Sequence, residues 1–144
     1  TQGINPVKKE EISTSLRGKS NITNFLREII ESAKKEVVIC TNAGEIKSKA
    51  KIFAQTIAIL KRANIKIKMA LSVDEKTIKE LEEKLGLKIK RTEIDSKFFI
   101  VDRREVLFYI SKSGSDSEDI AVWLNSEFFV ESFASLFEKA IGEK

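Results

Sequence analysis

Apolar positions along this chain follow two periods that alternate from segment to segment. Residues 1–9 are polar, contain Pro6 and show no period, so they read as a linker or tail ahead of a domain covering 10–144. Over 10–17, Ile12, Thr14 and Leu16 fall on one side, which predicts an edge strand ended by Gly18. From Ser20, read as an N-cap, Ile22, Phe25, Leu26, Ile29, Ile30 and Ala33 recur every three or four residues. That is one apolar helical face, with Lys34 and Lys35 suited to the negative end of its dipole. Residues 36–40 form a short continuous run rich in β-branched residues, expected as a central strand covered on both faces. A turn at Thr41-Asn42-Ala43-Gly44 leads into a second helix marked by Ile46, Ala50, Phe53, Ala54, Ile57, Ile59 and Leu60. A strand at 65–71, a helix capped by Ser72 or Asp74 and stopped by Gly86, and a strand at 87–90 complete this half.

The second half changes rhythm. Residues 97–102 and 106–110 are apolar runs joined at Arg103-Arg104, which predicts a β-hairpin. A polar loop at 112–118 precedes a strand at 120–124 and a last helix capped by Asn125 or Ser126. Phe129, Phe133, Leu136, Phe137, Ala140 and Ile141 are expected to face inward from that helix. Strands separated by helices imply parallel pairing with right-handed crossovers. The expected fold is therefore α/β, with a mixed, largely parallel sheet and helices on both faces.

Composition narrows the chemistry. Of 144 residues, 42% are hydrophobic and 33% charged, enough for a core under a densely charged coat. There is no histidine, which removes imidazole as base, nucleophile or metal ligand. The lone Cys40 excludes an intramolecular disulfide and a cysteine-cluster metal site, and its place at a strand end predicts a buried, inert thiol. Net charge is +4, with Lys and Glu interleaved rather than blocked, a weaker cationic pattern than a dedicated nucleic-acid binder carries. This composition also fits a heat-tolerant, cytoplasmic protein. No apolar run approaches the roughly 18 residues of a membrane-spanning helix, so no membrane partner is expected. Thr1 opens the chain without an initiator Met, as expected of part of a longer polypeptide.

Several clusters carry candidate chemistry. Asp95, Lys97 and Asp102 read either as a charged pocket for a polar ligand or as a strand-edge ion pair. Asn42 and Gly44 lie between a strand and a helix, where backbone N–H groups hold anions, or form an ordinary connection. Residues 113–118 read as a loop that closes over a ligand or as a solvated tip. Trp123, Phe128, Phe129, Phe133 and Phe137 are dense enough to supply both core and a homodimer seam, the latter expected at Trp123, Phe128 and Phe129. Lys47, Lys49, Lys51, Lys61 and Arg62 read as a phosphate-contacting patch or a solvated helix face.

The segment from Ile94 to Asp102, with the hairpin after it, resembles the phospholipase D superfamily signature H-x-K, four residues, D, six residues, G-S-x-N. Lys97 and Asp102 match in spacing. Asp95 stands in place of the histidine, Tyr109 and Ile110 in place of Gly-Ser, and Lys112 in place of Asn. In that superfamily the histidine attacks phosphorus, the lysine neutralises phosphate oxygens and the aspartate supports the site. A carboxylate at Asp95 repels a phosphodiester and does not replace imidazole, so the resemblance implies a scaffold without that catalysis.

The blocks around Ile22 to Ile39, and Ile120-Ala-Val-Trp-Leu-Asn-Ser-Glu-Phe before the Phe-rich helix, are similar to the C-terminal effector domain of archaeal TrmB-like transcriptional regulators. That resemblance implies a non-enzymatic, effector-sensing or dimerising module without cofactor. Its implied partners are a second copy of itself, a small polar effector held by Asp95, Lys97, Asp102, Asn42 and Gly44, and DNA bound through a winged helix-turn-helix outside this chain. Three rivals stay open: a phosphodiesterase or nuclease with a metal on Asp95, Asp102 and another carboxylate, a nucleic-acid-binding module, and a ligand-free dimerisation domain.

Overall fold

A computed structural model describes residues 12–111 and 118–142. The elements in chain order are β1 (Ser13–Arg17), α1 (Lys19–Glu31), β2 (Glu36–Thr41), α2 (Ala43–Ser48), α3 (Ala50–Arg62) and β3 (Lys66–Leu71). They continue with α4 (Glu75–Leu85), β4 (Ile89–Arg91), β5 (Phe98–Val101), β6 (Glu105–Tyr109), β7 (Ile120–Asn125) and α5 (Glu127–Ala140).

The strands form one seven-stranded mixed sheet in the order β1-β7-β6-β5-β2-β3-β4. Its parallel part is confined to β2, β3 and β4, and the remaining pairings are antiparallel. β1 is an edge strand, as its alternation predicts, but it pairs with β7 rather than β2. Both edges of β2 are already taken, by β3 and β5.

Helices cover both faces unequally. Alternate strand residues such as Val37, Ile39, Met69 and Phe99 pack under α1–α4, through Ile22, Ile46, Ile57 and Ile78 among others. The opposite residues, including Val38, Cys40, Phe98 and Ile100, meet α5 alone, through Val130, Ala134 and Phe137. Right-handed crossovers from β2 to β3 and from β3 to β4 place α3 and α4 on the same face.

Several local expectations are corrected. The N-cap of α1 is Gly18, at φ 90°, and Ser20 lies inside the first turn. The expected second helix is two, broken at Lys49 (φ −121°, ψ 32°). The hairpin turns on Asp102 and Arg103, both at φ 54°, one residue earlier than Arg103-Arg104. Arg104 N–H closes it on the Val101 carbonyl at 3.1 Å. Positive φ at both central positions matches the right-handed strand twist, and aspartate tolerates it. Asp74 and Ser126 cap α4 and α5, and Gly86 ends α4 in the left-handed conformation that its missing Cβ permits.

α5 offers more apolar side chains than one face can bury. Val130, Ala134 and Phe137 win the core stripe, leaving Phe129 at 47% and Leu136 at 67% exposure, with Ala140 exposed as well. Trp123 is only 2% exposed, so it is a core residue and not an accessible interface residue. Its ring meets Phe25 edge-on at 5.6 Å, and its indole N–H donates to Glu105 Oε1 at 2.9 Å. Phe128 and Phe129 do reach the surface.

Candidate functional site

The polar residues that converge do so at one end of the sheet, where β2 and β6 finish and β5 begins. Lys97 immediately precedes β5, and antiparallel pairing sets it opposite Tyr109, whose N–H donates to the Lys97 carbonyl at 3.0 Å. The lysine side chain is buried at 7% exposure. Its Nζ lies 3.1 Å from Glu45 Oε2 and 3.8 Å from the centre of the Tyr109 ring. A buried ammonium is stable only with a counter-charge, and the carboxylate and the ring face supply it.

Glu45 is placed by local helix chemistry. Asn42 is the N-cap of α2, and its Oδ1 accepts the Glu45 N–H at 2.9 Å. The Glu45 side chain turns inward to Lys97, and Lys49 pairs with it at 3.1 Å. Burial works against its charge, but the hydrogen bonds and charges of Lys97 and Lys49 outweigh it and hold the carboxyl below its usual range. Burial, then the charges of Glu45 and Asp119, push the Tyr109 hydroxyl above its ordinary value. Burial, then the charge of Asp95, push the Cys40 thiol up to about 12. The tyrosine and the thiol thus stay protonated at neutral pH.

A polar cleft of ≈ 320 Å³ opens at this end, bordered by Asn42, Asp95, Ser96, Lys97, Tyr109, Ile110 and Ser111. Asp95 is exposed and forms no ion pair among the described residues. An apolar groove of ≈ 530 Å³ runs from the same place beneath α5. A narrow cavity of ≈ 60 Å³ lies on the opposite face, against α1 and α3. Lys97 and Tyr109 border all three.

Of the five residues expected to hold a ligand, Asn42, Asp95 and Lys97 meet at this cleft. Gly44 is beside it in α2, where an added Cβ would come 3.3 Å from Asn42 Oδ1. Asp102 is at the far end of β5, about 16 Å along the strand at 3.3 Å per residue. Its carboxylate accepts the backbone N–H groups of Lys34, Lys35 and Glu36 at 3.0, 2.8 and 3.0 Å. Asp95 and Asp102 are therefore too far apart to share a metal. The loop at 112–117 and Lys112 lie outside the described residues. The basic group is split between α2 and α3, with Lys49 on Glu45 and Lys61 on the Gly86 carbonyl.

Sequence reasoning missed Glu45 and Tyr109. The Asn-x-x-Glu spacing at 42–45 is a capping signal that could have placed Glu45 in the first turn, but nothing local reveals that its side chain reaches Lys97. It also missed Arg103, which meets Glu36, Glu131 and Glu138 at 3.5, 2.9 and 2.8 Å and ties α5 to the sheet. Lys68 joins this network through Glu138 at 2.6 Å.

No curated protein matches the chain in sequence. Among solved structures, TrmBL2, described as an archaeal chromatin protein with a novel mode of DNA binding, has a TM-score of 0.64 at 17% identity. That match covers 94% of this chain and 54% of TrmBL2, so the chain spans about half its length. Nuc from Salmonella typhimurium, a phospholipase D family member, matches with a TM-score of 0.64 and 15% identity over 89% of this chain and 93% of Nuc. NucT from Helicobacter pylori matches with a TM-score of 0.67 and 14% identity over 89% and 94%. These likenesses establish the phospholipase D-like fold. The family model for the N-terminal subdomain of the EBD of the transcriptional regulator TrmB matches residues 13–141, nearly the whole of the chain, and the chain belongs to that family.

Proposed function

We propose that this domain is a non-catalytic, effector-sensing or dimerising module of a TrmB-like transcriptional regulator, whose DNA contacts are made outside this chain. The observation that carries the reading is the state of the two charges at the cleft. Attack on a phosphodiester needs a nucleophile and a free cation to meet the phosphate oxygens. Here the position of the attacking imidazole holds the Asp95 carboxylate, and Lys97 already spends its charge on Glu45. Asn42, Asp95 and Lys97 border the cleft that takes the effector. TrmBL2, described as a DNA-binding chromatin protein, supports the regulatory context because it carries this fold over about half its length.

The module acts as a symmetric dimer with Phe128 and Phe129 in the seam, since both are exposed apolar rings on α5. An effector that prefers one dimer arrangement then biases the spacing of attached DNA-reading units. Among the described residues no helix is long and apolar enough to cross a membrane.

Two measurements test this. Hydrolysis of bis(p-nitrophenyl) phosphate, with and without Mg²⁺ or Mn²⁺, is expected to stay at background. Turnover that Lys97→Ala abolishes overturns the reading. In a thermal-shift screen of sugars, nucleotides, phosphates and small amines, a bound effector raises the melting temperature, and Asn42→Ala weakens the shift.

A further inference from the structure

We infer that the polar cleft and the apolar groove form one two-part site for a small amphiphile with a cationic head and a hydrocarbon tail. This rests on the effector-sensing reading and names its ligand class.

Continuity is the first argument. Ser96, Lys97 and Tyr109 border both spaces, so the ≈ 320 Å³ cleft and the ≈ 530 Å³ groove adjoin at these side chains. Each is of the size that small ligands occupy. Polarity then changes sharply along the path. Asn42, Asp95, Ser96 and Ser111 sit at the polar end. Phe98, Phe108, Phe129, Phe133 and Leu136 line the other end. A sugar or a phosphate alone would fill the first part and leave the second open to water.

The sign of the head follows from charge. Asp95 is exposed and without an ion pair among the described residues, whereas Lys97 is already neutralised by Glu45. Among the described residues, the exposed charge bordering the cleft is therefore the Asp95 carboxylate, which attracts an ammonium and repels an anionic head, while the deeper Glu45 is shared between Lys97 and Lys49. Burial is the main reason the Cys40 thiol and the Tyr109 hydroxyl are raised, with smaller additions from Asp95 on the one and from Glu45 and Asp119 on the other. Asp95 and the Ser96 hydroxyl offer acceptors to an ammonium, whereas the Asn42 amide oxygen and Ser111 Oγ already accept the Glu45 and Ile120 N–H groups.

The tail end is built rather than accidental. Phe98 meets Phe133 and Phe137 edge-on, both at 5.0 Å, forming a firm floor. Phe129 lies parallel to Phe133 at 6.2 Å, continuing the wall toward the surface. The tail thus touches Phe129, one of the two residues assigned to the dimer seam, which couples occupancy to dimer geometry.

The test is calorimetric titration of the whole chain with methyl-, butyl-, hexyl- and octylammonium, octyl phosphate and octyl glucoside, all below their micelle concentrations. Affinity for the ammonium series is expected to rise about tenfold for every two methylenes until the groove is filled. Octyl phosphate is expected to bind at least tenfold more weakly than octylammonium, and Asp95→Asn to erase that difference. Phe129→Gln with Leu136→Gln, both at exposed positions, is expected to flatten the chain-length dependence while leaving methylammonium binding unchanged.

Affinity independent of chain length, or octyl phosphate binding as tightly as octylammonium, overturns the proposal. So does a sedimenting dimer that the glutamine pair dissociates and that takes up no octylammonium, because a second copy then fills the groove. Binding of polar ligands without any gain from the tail sinks the two-part site and leaves the effector-sensing reading standing, whereas phosphodiester turnover at Lys97 sinks both.

Discussion

Asp102 directs its carboxylate at the chain itself, accepting three successive backbone N–H groups from Lys34 to Glu36 where α1 hands over to β2. It does so from a left-handed turn position that a short polar side chain tolerates and most others do not. With β5 extended between them, a residue at the phospholipase D-like spacing from Lys97 sits at the far end of the strand from it. Asp102→Ala is expected to cost about 2–3 kcal/mol, from lost acceptors and added turn strain. Asp102→Asn, which keeps one oxygen and the turn, is expected to lose less, and urea unfolding of both variants checks the order. The Lys97–Asp102 spacing was legible in the sequence. The work each side chain does was not, because it depends on Glu45 and on the 34–36 backbone, both remote in sequence.

At the scale of the element, α5 shows what periodicity resolves and where it stops. Its start was legible, since Ser126 caps it and accepts the Phe129 N–H at 3.2 Å. Its buried face was not, because apolar residues lie on more than one side of the helix. Packing on the sheet selected Val130, Ala134 and Phe137. Phe137→Ala is expected to cost about 3–4 kcal/mol, as a buried ring in edge contact with Phe98 is lost. Leu136→Ala, one residue away but exposed, is expected to stay within about 0.5 kcal/mol of the parent. Chemical denaturation of the two side by side reads out the assigned face. The break at Lys49 has a similar origin. Ile46 and Glu45 direct α2 at the end of the sheet, while Ile57 and Leu60 lay α3 along its face, and one straight helix does not serve both.

For the molecule as a whole, ion pairs tie helices to both ends of the sheet. At one end Glu45 pairs with Lys97, and at the other Glu131 and Glu138 pair with Arg103. For Glu45 and Glu138 burial opposes the charge but the cations prevail, and for Glu131 the hydrogen bond with Arg103 leads, so all three native values lie below 4.5. The unfolded chain then takes up protons first as pH falls. The stabilisation is complete above the ordinary value of 4.5 and is lost as pH drops through the lower native values. The melting temperature is expected to hold from pH 7 to about 5 and to fall below it. Glu45→Gln is expected to cost about 3 kcal/mol at pH 7 by stranding the buried Lys97, and to flatten part of the acid slope. Glu45→Gln combined with Lys97→Met is expected to recover most of the loss, and a double-mutant cycle of thermal melts across pH measures it.

The order of strands and helices, most of their ends, the hairpin and the lack of any imidazole followed from the amino-acid sequence alone. Each of these is local: a side-chain period, a cap, a turn residue or a count decides it. Closure of the sheet decided the rest. It joined β1 to β7, put four helices on one face, buried Trp123, brought Asn42 to Asp95 and gave Lys97 its counter-charge in Glu45. A period tells which side of an element is apolar, but not which free hydrogen-bonding edge or opposite charge it will meet. Those partners are chosen only when distant segments compete for the same core.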